Sequence, residues 1–279
     1  MATTAIGLLH PGEMGAAVGA AARLNGARVL WASAGRGPAT HKRAGEAGLE
    51  DVGTVARLVA ESALILSICP PAAAPDVARE VAALGFRGAF VDGNAVAPAT
   101  TRAIGDIVTA GGARFVDGGI IGPPPLRAGT TRLYLSGPGA ADVVARFGTG
   151  PLTAVAVAGD VGAASALKMA YAGWNKGSQA LLLAIRALAA REGVDEALVR
   201  EWALSQPDLA KRTEQAVAGN TKKAWRFVGE MHEIAATFAA VGLPEGFHEA
   251  AAQVFERMAH WKDAPTPPSL GEVQKALAP

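Results

Sequence analysis

Residues 159–193 read GDVGAASALKMAYAGWNKGSQALLLAIRALAAREG, a stretch without proline and dominated by Ala, Leu, Lys and Met. Those residue types favour helix. Asp160 is placed to cap the start, and Gly193 lies just past Arg191 and Glu192, where a helix stop is expected. At 1.5 Å per residue, ~31 residues would span roughly 45 Å, more than one small domain needs. Before this stretch the chain alternates strand and helix patterns; after it every periodic segment is helical. This predicts an α/β domain over 1–158 followed by an all-α domain over 159–279, joined by a long interdomain helix. Lys168, in the first third of that helix, is its candidate reactive residue.

The whole-chain properties narrow the classes. With 279 residues the chain can hold two domains, and half of it is hydrophobic with few aromatics, which suits closely packed helices. A formal charge of +1 gives no footprint for nucleic acid or an anionic membrane. Cys69 is the single cysteine, so neither a disulfide framework nor a cysteine-rich metal site is expected. A reducing compartment fits, and the amino terminus has no basic-then-apolar leader pattern, so a cytoplasmic location is expected. The longest apolar run, near Leu181, is broken by Arg186, too early for a membrane span.

Short apolar runs at 4–9, 27–32, 63–68, 88–91, 113–117, 131–136 and 153–157 alternate with helical stretches. That pattern predicts a parallel sheet covered on both faces. The turn after the first run is His10-Pro11-Gly12-Glu13-Met14-Gly15. A dinucleotide-binding turn has G-x-G-x-x-G between strand and helix: one glycine for the turn, one for approach of the pyrophosphate, one for helix–strand packing. Gly12 and Gly15 supply the second and third glycines; His10 stands at the first. Free N–H groups at the helix start would then bind phosphate. A Rossmann-type fold follows.

An NAD enzyme places Asp or Glu at the end of the second strand. Here that segment is Trp31-Ala-Ser33-Ala-Gly-Arg36-Gly37, with no acid, and Thr40, His41, Lys42 and Arg43 follow. Ser33 and Arg36 suit a 2′-phosphate, so NADP is favoured over NAD. Cys69 and Pro70 end the third strand and Asn94 follows the fourth, all at the carboxyl edge where ligands of such sheets lie. Asn94 is either a partner of nicotinamide or ribose, or a turn former; Cys69 reads as a small buried residue, with no His or Asp placeable beside it to make it a nucleophile.

Together these residues resemble the β-hydroxyacid dehydrogenase family, related to 6-phosphogluconate dehydrogenase, over nearly the whole chain. The family's first turn, G-x-G-x-M-G, corresponds to His10 through Gly15. Its V-D-x-S-T-x-x-P corresponds to Val91-Asp92-Gly93-Asn94-Ala95-Val96-Ala97-Pro98, with both hydroxyls replaced. Its substrate loop D-A-P-V-S-G-G corresponds to Asp117-Gly118-Gly119-Ile120-Ile121-Gly122-Pro123, followed by Gly129-Thr130-Thr131. Its catalytic G-x-G-x-x-x-K-x-x-x-N is matched at Gly162 and Lys168, but Ala172 stands where the family has Asn. Asn175 lies at i+7 on the lysine's face. The family's later Lys-Asp pair falls at His232-Glu233. The resemblance implies a nicotinamide cofactor held by the first turn, Lys168 as proton donor, and Ile121, Gly122, Asn175 and His232 at the substrate. It also implies a homodimer built on the helical domain.

In the second half, segments 196–205, 208–218, 222–241 and 244–261 carry helical spacing, and 263–268 (DAPTPP) reads as a linker before a short tail. Trp174, Trp202, Trp225 and Phe238 are core or interface residues, and the core is expected for each. His232 and Glu233 are adjacent, with no second His at i+4, and do not make a metal pair. Hydride addition to a carbonyl leaves an alkoxide that needs a proton, and a lysine in a partly desolvated cleft can supply it. The expected activity is therefore NADP-dependent interconversion of a small hydroxy acid or alcohol and its carbonyl. Imine reduction is the first rival. A non-catalytic NADP sensor is the second, motivated by His10 and the missing hydroxyls.

Overall fold

The computed structural model describes residues 5–278. The chain runs β1 (Ile6–Leu9), α1 (Glu13–Arg23), β2 (Val29–Trp31), α2 (Pro38–Glu46), β3 (Glu50–Asp51), α3 (Val55–Glu61), β4 (Leu64–Ser67), α4 (Ala74–Ala83), β5 (Ala89–Asp92), α5 (Pro98–Ala110) and β6 (Arg114–Ile121). There follow β7 (Thr131–Ser136), α6 (Ala140–Val144), β8 (Leu152–Ala156) and α7 (Ala163–Arg191). The remaining helices are α8 (Asp195–Ser205), α9 (Leu209–Asn220), α10 (Ala224–Ala239), α11 (Gly246–Met258) and α12 (Leu270–Leu277). The expected first strand starts at Thr4, which lies outside the described residues.

The strands form one sheet in the order β3-β2-β1-β4-β5-β6-β7-β8. The order reverses at β1, so the turn after β1 opens at the switch point where such sheets bind ligands. Alternation along the strands feeds two cores. Leu8, Leu64, Leu66, Val91 and Val116 face one side; Leu9, Ile65, Phe90 and Phe115 face the other. A side-chain period of two on a sheet covered by helices requires this split.

Two features correct the expected sheet. First, β7 runs antiparallel to β6, with Asp117 opposite Ser136 and Ile121 opposite Arg132. The segment joining them holds no helix to carry the chain back across the sheet, and a direct return gives an antiparallel pair. Second, β3 extends the sheet beside β2, with Leu30 opposite Glu50 and Trp31 opposite Asp51. Both β3 residues are exposed and acidic, so no apolar run marks them.

The long helix forms as expected, 29 residues from Ala163 to Arg191. Gly193 takes φ +71°, and the Val194 N–H reaches back to the Ala189 carbonyl at 2.8 Å. A left-handed residue closing the last turn is what glycine is suited for. The start departs from expectation: the side chain that receives the first-turn amides is Asp117, on β6, rather than Asp160.

Two compact units divide the chain inside α7, between Met169 and Ala170. In the second unit Arg186, 7% exposed, makes two hydrogen bonds to Asp195 at 2.6 and 2.8 Å, fixing the α7–α8 turn. The tail is a full helix: Ser269 and Glu272 form a reciprocal capping box on α12, and Val273 is wholly buried. Trp202 is buried as expected, but Trp174 is 72% exposed. Trp174, Leu181 and Leu188 follow each other at seven-residue intervals and are all exposed. An apolar row at that spacing occupies one stripe of a helix.

Candidate functional site

The first unit brings several candidate residues to the ends of its strands. Gly12 is the N-cap of α1, has extended φ and ψ, and a Cβ placed on it would meet nothing within 4 Å. The helix N-terminus is therefore open to a bulky anion. Gly15 is different: its Cβ would lie 2.3 Å from the His10 carbonyl oxygen. The third glycine of the fingerprint is thus required by the close approach of turn and helix. The first is not required, because His10 does not have positive φ. This is the physical reason a histidine is tolerated there. Pro11, Glu13 and Met14 complete the turn, and Arg43 on α2 donates from Nε to the Pro11 carbonyl at 3.3 Å.

His10 is largely buried, its Nδ1 has no hydrogen-bond partner, and burial, assisted by the Arg36 charge, lowers its pKa to about 4. The imidazole is neutral at pH 7. Its pKa is lower folded than unfolded, so the stability this represents is full above about pH 6.5 and is lost as the pH falls towards 4. Lowering the pH from 7.5 to 5 is expected to remove up to about 2 kcal/mol through this group. Urea unfolding at the two pH values, on wild type and His10→Asn, checks it: the variant should show the smaller loss. An equal loss in both would assign the acid sensitivity elsewhere. His248, whose pKa burial also lowers, adds a contribution of the same sign to both proteins.

At the end of β2, Ser33 and Arg36 are both half-buried. Arg36 is near enough to act electrostatically on both His10 and Cys69. Ser33 bonds to Asp51, an acid supplied by β3. Partial desolvation opposes the Asp51 charge, but hydrogen bonds from the Gly53 N–H and Ser33, with His41 nearby, outweigh it and hold the carboxyl below its usual range. Sequence reading missed Asp51 because it lies on another strand. The His41 ring stands edge-on to Trp31, 5.1 Å between centroids.

Cys69, Pro70 and Asn94 form the next part of the edge. Asn94, 3% exposed, accepts from the Cys69 N–H at 2.6 Å and donates to Ser67 Oγ at 3.2 Å and to Asp92. It ties the loops after β4 and β5 together through its own amide. Cys69 is held as a thiol: burial, followed by a smaller opposing Ser67 hydrogen bond, leaves its pKa at about 11. That agrees with a small packed residue rather than a nucleophile.

Ile121 ends β6 and Gly122 follows it. Ile121 is 4% exposed, within the strand rather than on the loop surface. Gly122 has φ +122°, and a Cβ there would lie 2.3 Å from the Thr130 carbonyl oxygen, so the loop returns tightly over itself. The Thr131 hydroxyl donates to the Pro123 carbonyl at 2.5 Å across the base of this loop.

Lys168 is half-buried on the second turn of α7. It lies against β6: a Cβ on Gly119 would sit 2.7 Å from the Ala164 carbonyl oxygen and 3.0 Å from Lys168 Cβ. Gly119 therefore lets strand backbone pass directly under the lysine-bearing turn.

Asn175 and His232 belong to the second unit. Asn175 is exposed on α7, with Gln179 Nε2 at 3.5 Å from its Oδ1. His232 on α10 pairs through Nδ1 with Glu249 of α11 at 3.0 Å, about half-exposed. In this unit a cavity of about 930 Å³ is bordered by α7, α8, α9 and α11, with Trp174, Leu181, Leu198, Trp202, Phe247 and His248 among its walls.

Residues 189–258 match the domain family DUF1932, a domain of unknown function. No curated protein matches the chain by sequence. Solved structures resemble it over almost its full length. The conserved protein MTH1747 of unknown function, itself described as similar to 3-hydroxyacid dehydrogenases, shares 23% identity at a TM-score of 0.68, covering 98% of this chain and 99% of its own. Mycobacterium tuberculosis 3-hydroxyisobutyrate dehydrogenase with L-serine shares 17% at 0.68, covering 99% and 100%. A reductive aminase from Aspergillus terreus, in complex with an NADPH derivative, cyclohexanone and allyl amine, shares 17% at 0.57, covering 98% and 99%. The resemblance drawn from the sequence motifs is borne out: this chain has the fold of the 3-hydroxyacid dehydrogenases, a Rossmann-type sheet followed by a helical carboxy-terminal region.

Proposed function

We propose that the protein is an NADP-dependent oxidoreductase, interconverting a small hydroxy acid or alcohol with its carbonyl, and that Lys168 exchanges the proton. The carrying observation is Lys168, half-buried and backed by the glycine floor of β6. The strand-end residues of the same unit fit a dinucleotide. The open N-terminus of α1 accepts the pyrophosphate, with His10, Pro11, Gly12, Glu13 and Met14 as its rim. Arg36, with Ser33, meets the 2′-phosphate. Cys69 and Pro70, held in place by Asn94, border the nicotinamide end. The bound cofactor supplies the hydride. Ile121 and Gly122 flank the substrate on the β6 side, and Asn175 and His232 are the further substrate residues that the family resemblance adds. Proton transfer runs from Lys168 to the developing alkoxide in reduction, and back in oxidation.

Reductive-aminase chemistry in a similar fold keeps imine reduction as the second reading. The test is fluorescence titration with NADPH and NADH, followed by a panel of aldehydes, keto acids and cyclic imines. Tighter NADPH binding with turnover of a carbonyl is the expected result. Turnover of imines alone would favour the second reading, and binding without turnover of any panel member would favour a sensor.

The protein works as a homodimer in this proposal, because the row Trp174, Leu181 and Leu188 presents a long apolar stripe suited to a second copy. Leu181→Asp is expected to convert dimer to monomer in light scattering at micromolar concentration. An unchanged dimer would remove α7 from the interface, and a monomeric wild type would remove the dimer.

A further inference from the structure

Asp117 lies on β6, two residues before Gly119, with no exposed surface. Its Oδ2 accepts from the N–H groups of Gly162, Ala164 and Ser165 at 2.9, 3.0 and 3.1 Å. The Ser136 hydroxyl, on β7, donates to the same oxygen at 2.8 Å, and the Ser165 hydroxyl donates to Oδ1 at 2.6 Å. Ser165 Oγ also lies 2.7 Å from Thr101 Oγ1 on α5. One buried carboxylate thus joins two strands to the start of α7, and the hydroxyl at that start reaches a second helix.

A negative charge at a helix N-terminus is favourable in itself, and bonds to an ionised acceptor are stronger than neutral ones. Stability alone would be served by a cap from the residue just before the helix. Here the cap is 45–48 residues away, so it fixes where the helix begins relative to the sheet. Ser165 and Lys168 are one turn apart on α7 and share a face. At the second contact Gly119 leaves no side chain between β6 and Lys168. The strand therefore holds the lysine-bearing turn at two points, by charge at Asp117 and by close approach at Gly119.

We infer that Asp117 is a positioning residue for the reaction: its carboxylate sets the height and direction from which α7 presents Lys168. This rests on the reading of Lys168 as the proton donor. The test uses the full chain with NADPH. In Asp117→Asn, kcat on a panel substrate is expected to fall about 100-fold, the cost of a displacement near 1 Å of a reacting group. The KM and the NADPH dissociation constant should stay within about threefold, since neither the α1 turn nor Arg36 touches the clamp. Hydrogen exchange should show lost amide protection over 162–168 with β1, β4 and β5 protected as before. Ser165→Ala, which keeps the carboxylate and its amide bonds, should show the same pattern at smaller amplitude and carries the test if Asp117→Asn does not fold.

A folded Asp117→Asn with wild-type kcat, or one whose loss lies wholly in KM or NADPH affinity, would overturn the inference. So would unchanged exchange over 162–168, which decides the clamp whatever the panel yields. Lys168→Met, measured in parallel, separates the two claims. If that variant keeps its rate, the reading of Lys168 has failed. If it is inactive while Asp117→Asn is fully active, only the positioning role has failed.

Discussion

Lys168→Met should lower kcat by about 10²- to 10⁴-fold while leaving NADPH affinity within about twofold. That range is what a positioned general acid contributes. Methionine keeps the aliphatic length and removes the ammonium, so packing against Gly119 is retained and the proton is not. Lys168 is half-buried, so the ammonium is removed from a side chain that is neither sealed in the core nor fully solvated. Steady-state rates with the panel substrate, alongside a fluorescence titration, check the prediction. The effect should appear in both kcat and kcat/KM, because the proton is needed only in the transition state. A rise in KM alone would make Lys168 a binding residue. Wild-type turnover would return it to an ordinary helix lysine.

Arg36→Ala is expected to weaken NADPH binding by roughly 10- to 150-fold and to leave NADH binding unchanged. Hydrogen bonds to a charged group contribute about 1.5–3 kcal/mol, and that range sets the factor. The position of Arg36 after β2 and its electrostatic effect on His10 and Cys69 support this role. Asp51 sharpens the test. It bonds Ser33 and holds its charge, and an acid in this neighbourhood is the group that binds ribose hydroxyls in NAD enzymes. If Arg36→Ala weakens NADH and NADPH alike, the arginine serves the turn rather than the 2′-phosphate. If wild type prefers NADH, Asp51 becomes the residue that reads the ribose.

Part of the candidate site is legible in the residues. Gly12 and Gly15 were legible because backbone approach to a phosphate and to a helix can be met only by glycine, whatever surrounds it. The long helix was legible because a proline-free stretch of good helix formers, ended by Gly193, admits few other conformations. Lys168 was legible as a position through its motif. Asp51, by contrast, carries no local signal: its strand is two exposed acids, paired only because β2 offers an edge. Asp117 was read as part of a loop motif, and nothing near it in sequence says that its partners lie at 162–165.

The exposed Trp174 shows the same limit from the other side. A large aromatic on an apolar helix is most simply placed in a core, and only the packing of α7 shows which of its faces is covered. Local chemistry therefore determined most of the element types and the glycine turn after β1, since those depend on backbone freedom and side-chain period within a few residues. Tertiary structure decided the antiparallel return of β7, the acid beside Ser33 and the carboxylate that holds α7. Each of these depends on which distant segment fills a hydrogen-bonding position, and a buried donor or acceptor takes its partner from whatever the fold brings within about 3 Å.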